Sequence, residues 1–212
     1  PKFHFYRHTH IEVVRSFGGG ARARAFYARL GVAVHDLGYA NDFEDVRAMI
    51  RRTADALGHR DRGEALIEQM EADLAAAARG PRLSALYMTP SGVTAGSGTL
   101  IDSLLEAANF ENAAARDGAA GWRSLPLESL MNQAPDLVVT AFFDGASAPR
   151  DSWAMARHPV FQDLLERSVR IELDGAQVSC SAWTLAAAAR QAREQADAAL
   201  TATASASAEA AP

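Results

Sequence analysis

Short apolar runs alternate with helix-like patterns in the second half of the chain, and this alternation predicts a parallel α/β sheet. The segments 83–88 and 137–141 are continuous apolar runs, as expected for strands that are covered on both faces. Between them, apolar residues recur with a 3.6-residue period over 100–108, which predicts a helix, and a second short helix is predicted over 127–133. Ligands of parallel α/β sheets bind at the loops that follow the carboxyl ends of the strands.

Capping residues define the start of this central helix and of a helix further upstream. Thr99 with Asp102 three residues later forms a capping-box pattern, and Asp42 with Asp45 forms another. Asn41 is an alternative cap for the upstream helix. The upstream helix carries its buried stripe over residues 43 to 57, and the glycine that follows ends it.

A further helix without proline is predicted over 62–79, after the capping pattern of Asp61 and Glu64. At about 1.5 Å per residue this helix spans roughly 27 Å. We expect it to be a stiff connection that restricts the chain to small lobe movements.

The first 40 residues give a less regular pattern. We expect a strand at 3–6, the beginning of a helix at 9–17, a break at the glycines 18–20, a helix at 21–30 and a strand at 32–37.

The end of the chain predicts further helices and one strand. Residues 201–212 contain few bulky side chains, so we expect them to be disordered. The preceding elements are helices at 153–157, 158–166 and 182–200, a strand at 169–173 and a turn at 174–175.

Composition narrows the possible functions. The 212 residues carry a net charge of −5, and no dense cluster of Lys and Arg indicates a nucleic-acid partner. The single cysteine, Cys180, excludes an intrachain disulfide framework and a cysteine-based zinc site. No apolar run reaches the length of a membrane span. Since the chain begins with Pro1 rather than Met, we expect a processed or truncated product.

The order of segments in the second half resembles a known family of binding proteins. The series is Pro-Arg-Leu-Ser-Ala-Leu-Tyr-Met at 81–88, the loop and helix from Ser91 to Asn112, Trp122, and Leu-Glu-Ser-Leu followed by Ala-Pro-Asp-Leu-Val-Val. It resembles the second lobe of the ABC-importer substrate-binding proteins for ferric siderophores, haem and cobalamin, whose two lobes are joined by one rigid helix. The resemblance is clearest over 55–141.

This resemblance implies an α/β fold with a parallel-sheet C-terminal lobe on a long connecting helix. The expected organisation is a remnant of an N-terminal α/β lobe at 1–41, a helical connector at 42–80, the C-terminal lobe at 81–200 and a disordered tail at 201–212. It also implies a monomeric periplasmic protein that captures a metal-chelate ligand between its lobes and delivers it to an ABC permease. Neither a cofactor nor a catalytic residue is implied.

Two residues of the series are implied to have separate roles. In the family, an aromatic residue at the position of Trp122 can face the ligand, and a Glu at the position of Glu128 can dock onto arginines of the permease. Physically, an indole offers a flat apolar face, and a carboxylate at a helix N-terminus is free to pair across an interface. The alternatives are that Trp122 anchors its loop and that Glu128 only stabilises a helix start. The matching Glu of the first lobe has no counterpart here, since Glu12 has the wrong context.

The small-residue loop 89–98 is a second candidate for ligand contact, through Ser91, Gly96 and Ser97. Its backbone N–H groups precede a helix N-terminus, where an anion or a carboxylate can bind. It is not a P-loop, because no Lys follows Gly98, and it lacks the third glycine of a dinucleotide fingerprint. The alternative is a plain connection.

Aromatic residues after the later strands also qualify. Phe142 and Phe143 follow the strand at 137–141 and therefore can line the ligand site, although aromatic residues are more often part of a core. Trp183 is a weaker candidate of the same kind.

Two further residue groups carry no site. His4, His8 and His10 form a cluster, but no carboxylate or cysteine is placed to complete a metal site. Cys180 has no neighbouring base in the sequence that would make it a nucleophile.

Two alternative functions remain. The chain is either a truncated, non-binding fragment of the same fold, because part of a two-sided pocket is missing, or an α/β enzyme that holds a phosphorylated ligand with the 89–98 loop.

Overall fold

The computed structural model describes residues 13–15, 21–32, 34–116, 118–124, 134–141, 158–180 and 182–209. The chain divides into two compact units, Pro1–Gln69 and Met70–Pro212. The described elements are β1 (Val13–Arg15), α1 (Ala21–Arg29), β2 (Val34–Asp36), α2 (Phe43–Leu57), α3 (Arg60–Ala77), β3 (Leu83–Met88), β4 (Val93–Ala95), α4 (Leu100–Ala107), β5 (Phe110–Asn112), a 3-10 turn (Ala113–Ala115), β6 (Trp122–Ser124), β7 (Leu137–Ala141), α5 (Pro159–Arg167), β8 (Val169–Leu173), α6 (Gly175–Val178) and α7 (Thr184–Glu209).

The first unit contains a short two-stranded parallel sheet. β1 pairs with β2 in the register Val13 to Val34. The prediction of a helix over 9–17 is therefore wrong for Val13–Arg15, where two β-branched valines suit a paired strand better than a helix. β2 is linked to α2 through a hydrogen bond of 2.9 Å between the His35 ring and the Thr53 hydroxyl.

Helix α2 and the part of α3 up to Gln69 complete the described part of this unit. Asp42 caps α2 as predicted, since its carboxylate accepts the N–H of Asp45 at 2.8 Å, and Gly58 ends the helix with a φ of 71°. The capping box predicted at Asp61 and Glu64 is wrong. Asp61 lies inside the first turn of α3, and Glu64 is held instead by the guanidinium of Arg51 at 2.9 and 3.2 Å.

The second unit is organised around a four-stranded sheet in the order β5–β3–β7–β8, in which every neighbouring pair is parallel. The predicted strands Leu83–Met88 and Leu137–Ala141 have the bounds that the structure gives them. The prediction of an α/β fold with a parallel sheet is thus confirmed. All five residues of β7 are buried, which explains why its sequence is continuously apolar.

Side-chain hydrogen bonds join the amino ends of the two central strands, β3 and β7. At the start of β3, the Asp136 carboxylate accepts hydrogen bonds from the Ser84 N–H at 2.7 Å and the Ser84 hydroxyl at 2.8 Å. On one face, a core cluster joins strand residues to α5 and to the 3-10 turn. Its buried members are Leu86, Met88, Ala114, Val138, Phe161 and Leu164.

A buried arginine joins α7 to the segment that leads from α3 into β3. Arg193 is only 1% exposed, donates to the Pro81 carbonyl at 2.9 Å and to the Asp197 carboxylate at 3.0 Å, and lies 5.1 Å from the centre of the Phe110 ring. Gly80, with a φ of 80°, passes so close that an added Cβ would come within 2.9 Å of the guanidinium. The charge is stabilised because the carboxylate, the carbonyl and the ring all face it.

The structure contains a second small sheet that the sequence did not predict. β4 and β6 pair antiparallel in the register Ala95 to Trp122, inside segments that were expected to be loops. The turn expected at Asp174 and Gly175 is instead the capped start of the short helix α6.

The C-terminal helix is longer than predicted. α7 continues to Glu209, so the prediction of disorder is wrong for 201–209; residues 210–212 lie outside the described residues. Alanine has the highest helix propensity, which favours a helix here. The hydroxyl groups of this segment are accommodated by bonds to the preceding turn, for example Thr201 to the Asp197 carbonyl at 2.8 Å. Helicity here does not require burial, which was the basis of the prediction.

Three predicted elements fall outside the described residues: the strand at 3–6 and the helices at 127–133 and 153–157.

We predict that Gly63→Ala destabilises the first unit. A Cβ at this position in α3 would lie 2.5 Å from the Ala54 Cβ of α2, so the helices would have to separate. The expected cost is about 1–3 kcal/mol, against a gain in helix propensity of up to about 1 kcal/mol. Urea unfolding followed by circular dichroism measures the difference. The exposed Ala65→Gly is the control for propensity alone; a stabilised Gly63→Ala variant would contradict the close packing of α2 on α3.

Candidate ligand-binding site

The parallel sheet brings the segments that follow its strands to one edge. Because β5, β3, β7 and β8 run in the same direction, their carboxyl ends lie together, as they do in α/β proteins that bind ligands at this edge. The described segments beyond these ends are 89–99 after β3, 113–116 and 118–121 after β5, and 174–180 with 182–183 after β8.

Trp122 stands at this edge with its indole exposed. It begins β6, is 48% exposed, and lies opposite Ala95 of β4. The ring of Tyr87, near the carboxyl end of β3, meets the indole edge to face, with ring centres 6.1 Å apart and planes at 78°. The indole is therefore supported by the sheet on one side while almost half of its surface faces solvent.

Tyr87 forms the buried base under this indole. It is 1% exposed, and burial raises the pKa of its phenol above the usual value of 10.0. Its backbone carbonyl accepts the Thr94 hydroxyl of β4 at 2.7 Å. The ring contact with Trp122 and the hydrogen bond from Thr94 together join β3 to the β4–β6 pair.

Backbone N–H groups at several positions of the 89–98 loop donate within the protein. Gly96 N–H donates to the Gly121 carbonyl at 2.9 Å, and Ser97 N–H donates to the Ala119 carbonyl at 2.9 Å. A Cβ at Gly96 would lie 2.2 Å from the Ala119 oxygen, so this close approach of two backbones requires glycine. The other paired donors are Thr89 and Gly92, which reach the Val93 and Thr89 carbonyls, and Val93, which reaches the Thr89 hydroxyl.

The N-terminus of α4 is likewise occupied by the protein's own side chains. The Thr99 hydroxyl accepts the Asp102 N–H at 3.1 Å, as predicted, and the Asp102 carboxylate accepts the Gly98 N–H at 3.1 Å. A carboxylate already sits where an anion would bind a helix N-terminus. The geometry thus does not favour a phosphorylated ligand in this loop.

Asn112 connects the three parts of the site. Its amide donates to the Ala95 carbonyl at 2.9 Å and to the Asp102 carboxylate at 2.8 Å, and its side-chain carbonyl accepts the Ala114 N–H at 3.0 Å. Asn112 is 5% exposed, so these bonds satisfy an amide that would otherwise be costly to bury. Through them, β4, α4 and the turn after β5 form one rigid support for Trp122.

The sequence also matches a family model that is described as periplasmic binding protein, over residues 13–164. The match extends from the first described strand through β7 and most of α5, and it ends before β8. The chain belongs to the periplasmic binding protein family.

Solved structures of this family have the same fold as the chain. The periplasmic haem-binding protein BhuT, solved in complex with two haems, is 25% identical, with a TM-score of 0.67 over 86% of this chain and 74% of BhuT. The periplasmic haem-binding protein RhuT from Roseiflexus sp. RS-1 is 22% identical, with a TM-score of 0.66 over 87% of this chain and 76% of RhuT. The vitamin B12-binding protein BtuF of Vibrio cholerae is 13% identical, with a TM-score of 0.63 over 89% and 74%.

A search among curated proteins found no significant match. Among the residues that the structure describes, no helix is both long and apolar enough to cross a membrane.

The other predicted site residues of this periplasmic binding protein differ in their exposure, and some of them lie outside the described residues. Ser91 is exposed, with its hydroxyl 3.1 Å from that of Thr89, and Ser97 is half-buried, with its hydroxyl 3.2 Å from the Ala119 carbonyl. The described residues contain no group of three or more side chains placed to hold a metal ion. The predicted residues Glu128, Phe142 and Phe143, and the cluster His4, His8 and His10, lie outside the described residues.

Sequence reasoning missed the residues that hold Trp122 in place. In the sequence pattern, Tyr87 is one member of an apolar strand, and Asn112 is part of the loop that follows a predicted helix. The one available signal was the amide of Asn112 between Phe110 and two alanines, because an amide that becomes buried requires partners.

We predict that Tyr87 makes the stability of the chain decrease at alkaline pH. The unfolded phenol titrates near 10.0, whereas the buried phenol keeps its proton to higher pH. Above about pH 10 the folded chain therefore holds one more proton, and the free energy of unfolding falls by up to about 1.4 kcal/mol per pH unit. Below that pH the contribution is fully present.

Urea unfolding at about pH 9 and pH 11 tests this sign. The Tyr87→Phe variant should lose less stability between the two values than the parent chain, while Tyr39→Phe, at an exposed position, should behave as the parent. Equal losses in the parent and in Tyr87→Phe would contradict the burial of the phenol.

Proposed function

We propose that this chain is the periplasmic cargo-binding component of an ABC importer, and that its cargo is a haem-like metal chelate. The observation that carries the proposal is the exposed indole of Trp122, supported by Tyr87 at the carboxyl edge of a parallel sheet, in a chain of the periplasmic binding protein family. The similarity to BhuT, which is described as binding two haems, makes haem the first ligand to test.

The indole suits a flat, apolar ligand. Burying an aromatic face removes apolar surface from water, at about 25 cal/mol per Å², and stacked rings add roughly 0.5–1.5 kcal/mol. Because Tyr87 and the β4–β6 pair already hold Trp122, little conformational freedom is lost when the ligand binds. The fixed position of Trp122 therefore favours binding by lowering its entropic cost.

The remaining predicted residues receive secondary roles in this proposal. Ser91, with an exposed hydroxyl, is a polar contact for the ligand, while Gly96 and Ser97 shape the loop through their bonds to 119–121. Phe142 and Phe143 follow β7 in sequence and would extend the apolar surface. No catalytic residue is part of the proposal, and the family is one of binding proteins.

We predict that Trp122→Ala weakens haem binding about tenfold, which corresponds to about 1.4 kcal/mol. Titration with hemin, followed by the change in its Soret absorbance, measures the dissociation constant. The matched control is Leu200→Ala, which removes an exposed apolar side chain from α7, about 24 Å along the helix from its start at Thr184.

Two outcomes would oppose the proposal. If the parent chain shows no saturable hemin binding, the chain is a non-binding member of the fold. If it binds but Trp122→Ala binds equally well, the site lies elsewhere.

For delivery to the permease, we propose that the Glu128 carboxylate pairs with arginines of the transporter. Glu128→Ala should keep the hemin dissociation constant and reduce stimulation of the transporter's ATPase in proteoliposomes several-fold, since an interfacial charge pair is lost. Glu106→Ala, at an exposed position on α4, is the control. Full stimulation by Glu128→Ala would exclude this docking role.

A further inference from the structure

The four-stranded sheet of the second unit ends at β5 on one side and at β8 on the other. The outer strands of a sheet offer backbone N–H and C=O groups with which a strand of another chain can pair. β5 has only three residues, which leaves little length for such pairing. β8 has five, so the outward side of β8 is where the sheet is most open to extension.

A glutamine of α7 occupies the outward side of β8. The side-chain carbonyl of Gln195 accepts the Glu172 N–H at 3.0 Å, and its amide group donates to the Glu172 carbonyl at 2.8 Å. An antiparallel neighbour would make the same two bonds, because the residues of a hydrogen-bonded pair exchange both N–H···O=C bonds. Gln195 therefore takes the place of an adjacent strand at this position.

The backbone of Arg170 faces the same side as that of Glu172. Backbone groups of successive residues alternate between the two sides of a strand, so residues two positions apart share a side. Val169 agrees with this alternation, since its N–H donates to the Asp136 carbonyl on the β7 side at 3.0 Å. Arg170 and Glu172 are thus the hydrogen-bonding positions that β8 directs outward.

The sequence of β8, Val-Arg-Ile-Glu-Leu, is complementary to itself in charge. When two copies pair antiparallel about a twofold axis at Ile171, Arg170 of each copy lies opposite Glu172 of the other. The same register makes these two residues the hydrogen-bonded pair, which their outward backbone groups require. Registers centred on Arg170 or on Glu172 place like charges opposite each other and are disfavoured.

The side chains that this register uses are accessible. Arg170 and Glu172 are exposed and form an ion pair within the chain. An exposed ion pair contributes little to stability, so exchanging it for the same pair across two copies costs little. Ile171 and Leu173 are buried in the core, and they keep this burial when a strand is added at the edge of the sheet.

We propose that β8 is an edge at which a second copy of this chain can add in antiparallel register, and that Gln195 keeps this edge closed in the single chain. Loss of the Gln195 amide frees the Glu172 N–H and carbonyl for the second copy. One side chain of α7 thus determines whether the chain is a monomer or a twofold dimer. The inference goes beyond the proposed function and does not involve the ligand.

Sedimentation velocity over a range of protein concentrations tests the role of Gln195. The parent chain should stay monomeric, whereas Gln195→Ala should dimerise, with an association constant about tenfold or more above the parent's. Gln195→Glu should act in the same direction, since a carboxylate cannot donate to the Glu172 carbonyl, and it serves as the second variant if Gln195→Ala is unstable. Gln191→Ala, one turn earlier on α7, is the matched control and should behave as the parent.

Charge reversal in the Gln195→Ala chain tests the register. Adding Arg170→Glu should abolish the dimer, because a glutamate would then face Glu172 of the other copy at both pairs. Adding Glu172→Arg as well should restore the dimer, because opposite charges again face each other. A general loss of stability would not produce this recovery.

Three results would overturn the inference. The first is that Gln195→Ala and Gln195→Glu both remain monomeric, and the second is that the parent associates as strongly as they do. The third is a dimer that Arg170→Glu leaves intact, which would place the contact away from β8. Hemin is absent from these measurements, so none of these results bears on the proposed function.

Discussion

The parallel pairing of β3 with β5 and β7 is the constraint on which the rest of this structure depends. Since all four strands run in the same direction, every segment that follows a strand emerges at one edge. The apolar, fully buried β7 makes this arrangement stable only when both faces are covered. The candidate site is therefore a consequence of strand direction, and its residues come from distant parts of the sequence.

A second consequence is that the site is held rigidly before any ligand arrives. Gly96 and Ser97 of the 89–98 loop donate their N–H groups to 119–121, and Asn112 links β4, α4 and the turn after β5. Because these hydrogen-bond donors are already paired within the protein, they are not available to a phosphate. The same bonds suit a surface that offers an indole in a fixed orientation. The same observations thus argue against the enzymatic alternative and in favour of a binding surface.

The sequence predicted the elements whose signals are local. Leu83–Met88 and Leu137–Ala141 are continuous apolar runs, and Asp42 and Thr99 cap their helices with bonds to residues three positions away. The choice of the carboxyl edge as the candidate ligand-binding region rests on strand and helix order alone, and ligand binding there stays a prediction. Trp122 was selected through the resemblance to a family; the structure places it 48% exposed, and its contact with a ligand stays a prediction.

The remaining features depend on partners that are distant in sequence. β4 and β6 are three-residue strands, too short to be recognised without each other. The buried amide of Asn112 finds its partners at Ala95 and Asp102, and the Glu64 carboxylate pairs with Arg51 of the neighbouring helix instead of capping α3. The helical end of α7 was missed for a different reason, namely that alanine forms helices without burial.

The most direct test of this account is to map bound hemin by the paramagnetic broadening of backbone amide signals in a ¹⁵N-labelled sample. The account predicts that signals from 89–98 and 119–124, at the carboxyl edge of the sheet, are lost first. Signals from 81–83 and 134–136, at the amino ends of β3 and β7, should persist. Broadening centred on the amino ends, or no localised broadening at all, would contradict it.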